Sequence, residues 1–101
     1  MRILVIDNLE AIFEGLKSYF NNHCENSNLF WAKDLLSAEK SLRQNKYDLV
    51  ISELEFEDKD GLEILEAFYK RHKLPIVIYT TKRNGFRTKW INKKKFVKGV
   101  C

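Results

Sequence analysis

A short unbroken apolar run, Leu49-Val50-Ile51, constrains the fold of this chain more than any other feature. The run is too short for a helix and rich in β-branched side chains, which predicts a strand covered on both faces, as in a parallel sheet. Glu53 follows two residues later, where such a strand would leave the core. Because sites in open α/β sheets form outside the carboxyl ends of the strands, Glu53 marks the edge where chemistry is expected.

Further apolar runs predict strands at residues 3–6, 29–32 and 76–79. Between the runs, apolar residues recur at helical spacing, which predicts three amphipathic helices. Asn8, Asp34 and Asp60 stand directly ahead of these helices, where N-cap side chains are expected. The resulting order, β-α-β-α-β-α-β, predicts right-handed crossovers and a parallel sheet with helices on both faces.

The C-terminal residues carry weaker signals. Residues 83–92 predict a poor helix, because Gly85 weakens the helical pattern. Residues 95–100 predict a fifth strand, and no sequence remains for a helix after it. We therefore expect the last helix of the fold to be missing.

Length and composition limit the class of protein. A chain of 101 residues predicts one domain, residues 1–101, with a single modest core. No apolar run has the length that spans a membrane, so no membrane partner is expected. Cys24 and Cys101 lack the spacing of metal or redox motifs, which favours free thiols and a cytoplasmic location.

Charge is unevenly distributed along the chain. Residues 1–66 contain seven Lys/Arg and all fourteen Asp/Glu, giving 7 − 14 = −7, whereas residues 67–101 contain eleven Lys/Arg and no acid, giving +11. The sum is the net charge of +4. This polarity predicts that one part suits a cation or a basic partner and the other an anion.

Polar side chains follow three of the predicted strands and should meet at one edge of the sheet. They are Asp7 and Asn8 after the first strand, Glu53 after the third, and Thr80 and Thr81 after the fourth. Clustered oxygens of this kind suit a hard cation such as Mg²⁺. The alternative is that these residues only cap the helices that follow.

Four stretches together resemble the receiver domain of the two-component response regulators. They lie in the order and spacing of that family over residues 1–81, and residues 82–101 form a divergent basic segment. The stretches are RILVIDN (2–8), YDLVISE (47–53), DGLEIL (60–65) and PIVIYTT (75–81). The resemblance implies an α/β fold, a flavodoxin-like doubly wound parallel sheet of about five strands.

The resemblance also implies a function. Receivers take a phosphoryl group from a histidine kinase onto an aspartate of the third strand with Mg²⁺ bound. Asp7 matches the first metal-binding acid of the family, Asn8 stands where the second acid usually is, and Glu53 stands at the phosphoacceptor position. Asp7, Asn8 and Glu53 are therefore the candidate metal pocket.

A second group of residues matches the elements that read the phosphate in the family. Thr80 matches the switch hydroxyl, with Thr81 beside it as the alternative, and Lys98 is the candidate for the lysine that follows strand five. Gly61 matches the glycine of the loop after the site.

The departures from the family pattern matter more than the matches. Glu53 in place of aspartate adds one methylene in a site built for in-line transfer, where a misplacement of about an ångström can cost about a hundredfold in rate. Asn8 in place of an acid removes a negative charge from the metal site and should leave Mg²⁺ binding weak or absent. Glu57 occupies the place of the family's usual proline.

These departures favour a pseudo-receiver rather than an enzyme: an atypical receiver that acts in signalling or transcription regulation through protein–protein contact, independently of phosphorylation. One alternative is a working Mg²⁺-dependent phosphoacceptor within a phosphorelay. Another is nucleic-acid binding through the basic C-terminal third, where aromatic residues are interleaved with Lys and Arg.

The same reading predicts the partners. A histidine kinase or another regulator would bind as a protein partner. A homodimer would form through the C-terminal third, because an uncovered sheet edge invites pairing. DNA is expected as a partner only through the basic tail or through an effector domain outside these residues.

Overall fold

The computed structural model describes residues 1–57, 59–80 and 87–91. The strands and helices predicted before residue 81 are confirmed, and the described helices include none with the length and apolar character to cross a membrane. The elements in chain order are β1 (Arg2–Ile6), α1 (Glu10–His23), β2 (Asn28–Ala32), α2 (Leu35–Gln44), β3 (Leu49–Glu53), β4 (Glu55–Phe56), β5 (Lys59–Asp60), α3 (Leu62–His72), β6 (Ile76–Thr80) and β7 (Arg87–Ile91).

The main sheet has five strands in the order β2-β1-β3-β6-β7. Strands β2, β1, β3 and β6 are parallel, and their order is that of flavodoxin-like folds. The central strand β3 is buried at every position from Leu49 to Glu53, as its apolar sequence predicts. The predicted α/β fold with a doubly wound sheet is thus confirmed for these four strands.

The prediction for residues 83–92 is wrong where the structure describes them, because Arg87–Ile91 is a strand rather than a helix. This strand, β7, pairs antiparallel with β6, so the fifth strand is not parallel. Only residues 81–86 separate the two strands, whereas a parallel crossover needs a dozen residues or more. Thr88, Trp90 and Ile91 are also residue types that favour strands. The predicted strand at residues 95–100 lies outside the described residues.

Helices cover both faces of the sheet. On one face α1 contributes Phe13 to a core cluster with Ile3, Val5, Leu49 and Ile51. On the other face α2 and α3 pack on alternate residues of the same strands, in a cluster that contains Leu4, Ile6, Ala38, Leu42, Val50, Leu65, Phe68, Ile76 and Ile78. Alternation along β1 and β3 therefore divides the core into two layers.

The predicted N-caps have different outcomes. Asp34 caps α2 as predicted, because its carboxylate accepts a hydrogen bond from Ser37 N at 2.7 Å. Asn8 does not cap α1: the cap position is Leu9, and the Asp7 carboxylate accepts from Leu9 N instead. Asp60 lies one residue before the cap of α3, which is Gly61, and Asp60 Oδ1 accepts from Leu62 N at 2.7 Å.

We expect Asp34→Ala to lower the free energy of unfolding by about 1 kcal/mol, because α2 loses its cap. The hydrogen bond from Ser37 lowers the pKa of the Asp34 carboxyl. Since the folded pKa lies below the unfolded one, the stabilisation is present above the unfolded pKa of about 4 and is lost as the pH falls through the folded pKa. Urea unfolding at neutral and acid pH measures both effects. Asp34→Asn, an uncharged cap, should keep most of the stability at neutral pH. It should lose only the part of the pH dependence of unfolding that the Asp34 carboxyl contributes.

The prediction of free thiols is wrong for Cys24, which is buried and disulfide-bonded. A disulfide requires two Cα atoms within about 7 Å, and tertiary structure rather than sequence spacing decides that approach. The backbone N–H of Cys24 also donates to the Phe20 carbonyl oxygen at 2.8 Å, which closes α1. A cytoplasmic location therefore does not follow from the cysteines.

Candidate functional site

Three strand ends meet at the carboxyl edge of the main sheet. Asp7 follows β1, Glu53 ends β3, and Tyr79 lies beside Glu53 in the register of β3 and β6. All three residues are buried, with exposed fractions of 2% for Asp7, 7% for Glu53 and 4% for Tyr79. Two carboxylates and a phenol hydroxyl thus share one buried region.

The Asp7 carboxylate is held by hydrogen bonds at both of its oxygens. Oδ1 accepts from Leu9 N at 2.8 Å, and Oδ2 accepts from the Tyr79 hydroxyl. The indole Nε1 of Trp31 on β2 donates to the Asp7 carbonyl oxygen at 2.7 Å, and the Trp31 ring stacks on Phe13 of α1 at 6.0 Å. Because a buried charge is costly unless it is paired and hydrogen-bonded, these donors stabilise Asp7 in the core.

Tyr79 lies in this site although the sequence analysis did not name it as a site residue. Its ring lies in the α1-side core with Ile3, Val5 and Ile51, and its hydroxyl reaches Asp7. Burial raises the pKa of the Tyr79 hydroxyl, and the hydrogen bond to Asp7 and the negative charges nearby raise this pKa further. The hydroxyl therefore stays protonated, and a donor, at neutral pH. The sequence could have indicated this residue, because a tyrosine, which is aromatic and carries a polar hydroxyl, stands near the end of a strand that is otherwise aliphatic.

Glu53 turns its carboxylate toward the start of the next loop. Oε1 accepts from Leu54 N at 3.0 Å and from Glu55 N at 3.2 Å. Hydrogen bonds to a carboxylate are stronger than those between neutral groups, so both N–H groups hold the Glu53 side chain in this position. A buried acid thus stands at the position that the family resemblance assigns to the phosphoacceptor.

The loop after Glu53 is a small antiparallel hairpin, in which β4 pairs with β5. Glu57 at its turn has a positive φ of 49°. Proline, with φ fixed near about −65°, cannot adopt this conformation. A Cβ added at Gly61 would lie 3.1 Å from the Leu54 carbonyl oxygen, so the glycine allows the hairpin to close against β3. The exchange of the family's proline for Glu57 therefore accompanies a different backbone.

The other predicted site residues are placed less centrally. Asn8 is exposed, and Thr80 is half-buried at the end of β6, one residue after Tyr79. Thr81 and Lys98 lie outside the described residues. The structure therefore brings Asp7 and Glu53 to one buried edge with Tyr79, and leaves Asn8 at the surface.

The described residues do not fit a Mg²⁺ site as they are arranged. Within residues 1–57, 59–80 and 87–91, no three His, Cys, Asp or Glu side chains are grouped so that they could hold a metal ion. Donors already occupy both oxygens of Asp7, and two backbone N–H groups face Oε1 of Glu53. Mg²⁺ requires an octahedral set of oxygen ligands, and these donors already use lone pairs that the carboxylates would offer to the metal.

Comparison with known proteins identifies the family of the chain. The family model of the response regulator receiver domain matches residues 3–94. The two-component response regulator ARR12 of Arabidopsis thaliana is 30% identical over an alignment of 83 residues that covers 77% of this chain and 13% of that protein. The chain thus spans only a small part of the curated relative it matches.

Solved structures agree with the fold. The non-phosphorylated HemR receiver domain from Leptospira biflexa is 30% identical with a TM-score of 0.67, and the match covers 83% of this chain and 67% of that one. RcsB from Salmonella enterica serovar Typhimurium, solved bound to promoter rprA in the presence of phosphomimetic BeF3-, has a TM-score of 0.70 at 17% identity. That match covers 83% of this chain and 44% of RcsB.

Proposed function

This chain belongs to the response regulator receiver family, and we propose that it is a receiver whose signalling state does not depend on phosphorylation. Receivers act in signalling or transcription regulation in two-component systems, and they generally bind Mg²⁺ at the phosphorylation site. One observation carries the proposal: the buried Glu53 carboxylate is held by the backbone N–H groups of Leu54 and Glu55 at the phosphoacceptor position.

Chemistry and geometry both oppose phosphoryl transfer at this position. In-line attack needs a carboxylate oxygen free to approach the donor, whereas Oε1 of Glu53 accepts two hydrogen bonds. Glutamate is also one methylene longer than the aspartate of the family. Asn8 supplies no charge for a metal that would neutralise the incoming phosphoryl group.

Glu53 can instead act as a fixed charge. A carboxylate carries one negative charge and two oxygens, whereas a phosphoryl group carries nearly two charges and three free oxygens, so the mimicry is partial. The Glu53 carboxyl is part of the chain itself and needs no kinase to install it. The output of such a receiver is contact with a partner protein.

The proposed partner is a histidine kinase or another regulator in the cytoplasm. A homodimer through the C-terminal third remains a prediction; it is supported by the position of β7 at the end of the described strand order. Binding of DNA through the basic segment also remains a prediction, because the side chains that would carry it lie outside the described residues.

Intact mass after incubation with a small phosphodonor and Mg²⁺ tests the proposed function. We expect the unaltered chain to show no gain of a phosphoryl group, because the Glu53 side chain is one methylene longer than aspartate and its Oε1 already accepts two hydrogen bonds. Glu53→Gln, which keeps the size of the side chain and removes the nucleophile, is the matched control and should behave identically.

A hydroxylamine-sensitive gain of one phosphoryl group on the unaltered chain would contradict the proposal. Loss of that gain in Glu53→Gln would assign the working phosphoacceptor to Glu53 itself. Persistence of the gain in the control would assign it to another acid, and the chain would again be a phosphorylated receiver.

A further inference from the structure

We propose that the hydroxyl of Tyr79 takes the place of a divalent cation at Asp7, so that a hydrogen bond rather than a metal ion closes the carboxyl edge. The inference deepens the proposed function, on which it rests: a receiver that runs no phosphoryl transfer has no need of the cation. It assigns Tyr79 as the residue that sets the cation affinity of the site.

The contact joins strands that are not neighbours. Tyr79 is on β6 and Asp7 follows β1, with β3 between them in the sheet order. To reach Oδ2 of Asp7, the tyrosine side chain must therefore span the end of β3, where Glu53 lies in register with Tyr79. The hydroxyl thus stands between the strand ends that carry the two carboxylates.

A cation that binds Oδ2 of Asp7 competes with this donor for the lone pairs of the same oxygen. Asp7 is 2% exposed and Tyr79 is 4% exposed, so the hydrogen bond between them is shielded from solvent. An entering ion would have to lose hydration water as well as compete with this buried hydrogen bond. Mg²⁺ gives up its hydration water reluctantly, which adds to the barrier.

The balance of charge favours the hydrogen bond. A cation at this edge would find two carboxylates, Asp7 and Glu53, because Asn8 is neutral and exposed. Hydrogen bonds to charged groups are among the strongest in proteins. Mg²⁺ is usually bound by one or two carboxylates together with waters and phosphate oxygens, so few protein groups would compensate the loss of such a bond. The competing hydroxyl should therefore weaken cation binding about ten- to a hundredfold.

Trp31 offers a local probe of the site. Its indole N–H donates to the Asp7 carbonyl oxygen at 2.7 Å, so the indole resonance should shift when a cation reaches the Asp7 side chain. Trp90 is the other tryptophan of the chain, and Trp31→Phe assigns the two resonances.

The test is a titration of the full chain with Mg²⁺, and separately with Mn²⁺, without any phosphodonor. The indole N–H resonance of Trp31 and the heat of binding are followed for the unaltered chain and for Tyr79→Phe. We expect Tyr79→Phe to bind the cation at least about tenfold more tightly than the unaltered chain. The double variant Tyr79→Phe/Asp7→Asn should lose this increase in cation affinity, because the oxygen released by the first change then belongs to a neutral amide rather than to a carboxylate.

Tyr19→Phe is the matched control, since Tyr19 is an exposed tyrosine on α1 and should leave cation binding unchanged. The proposal would be overturned if the unaltered chain bound the cation as tightly as Tyr79→Phe does. If Tyr79→Phe does not fold, Tyr79→Leu removes the hydroxyl with an apolar side chain suited to the strand and gives the same comparison.

The two proposals can fail separately. Phosphorylation of the unaltered chain would contradict the proposed function whatever the titration shows. If Tyr79→Phe binds the cation no more tightly than the unaltered chain, and the unaltered chain is not phosphorylated, the role of Tyr79 is overturned and the proposed function stands.

Discussion

A chain that carries Asn8→Asp, Glu53→Asp and Tyr79→Phe together should accept a phosphoryl group from a small phosphodonor with Mg²⁺ at least about a hundredfold faster than the unaltered chain. Two of the changes reverse departures from the family pattern, and the third removes the hydroxyl that competes for Asp7. Asn8→Asp restores the second acid, Glu53→Asp shortens the nucleophile by one methylene, and Tyr79→Phe releases Oδ2 of Asp7. Intact mass as a function of time measures the rate.

Two controls assign the effect within this variant. A variant that carries Glu53→Asn with Asn8→Asp and Tyr79→Phe should show no mass gain. Asparagine has the same shape as aspartate but is not nucleophilic. The double variant Asn8→Asp/Glu53→Asp, which retains Tyr79, should react more slowly than the triple variant. A folded triple variant that stays unmodified would place the block elsewhere in the chain and contradict our account of the site.

The largest expected effect on stability is at Leu65. Leu65→Ala should lower the free energy of unfolding by about 2–5 kcal/mol, because the side chain is fully buried on α3 and its loss leaves a cavity beneath the helix. Domains of this kind are stable by about 5–15 kcal/mol, so the loss is a large fraction of the total. Urea unfolding at neutral pH, followed by circular dichroism, measures it.

Ile64→Ala is the matched control for this prediction. Ile64 precedes Leu65 on the same helix but is 46% exposed, so its truncation should cost well under half as much. Equal losses for the two variants would mean that α3 does not pack on the sheet through Leu65. The comparison also separates burial from helix propensity, because both changes introduce alanine into α3.

The sequence predicted well those features that depend on neighbouring residues. The strand at β3 follows from its apolar run, and the cap of α2 follows from Asp34 ahead of an amphipathic pattern. The meeting of Asp7 and Glu53 at one edge follows from parallel strands in the expected order. These inferences use only periodicity, capping chemistry and the topology of parallel sheets.

Features that join distant residues were not predictable in this way. The Tyr79–Asp7 hydrogen bond links positions 72 residues apart. From the sequence, Tyr79 is predicted only as one more residue of an apolar strand. The disulfide at Cys24 likewise depends on tertiary approach. The direction of β7 depends on the length of its connection to β6. The weak helical pattern of residues 83–92 hid the strand and therefore also the length of this connection.

The antiparallel direction of β7 changes the route of the basic segment through the molecule. Arg87 pairs with Thr80 at the carboxyl edge, and Ile91 pairs with Ile76 at the opposite end of the sheet. Ile91 thus lies one strand length away from the edge that holds the acids. The described part of the basic segment therefore runs along the full length of β6, from the edge that holds Asp7 and Glu53 to the edge opposite.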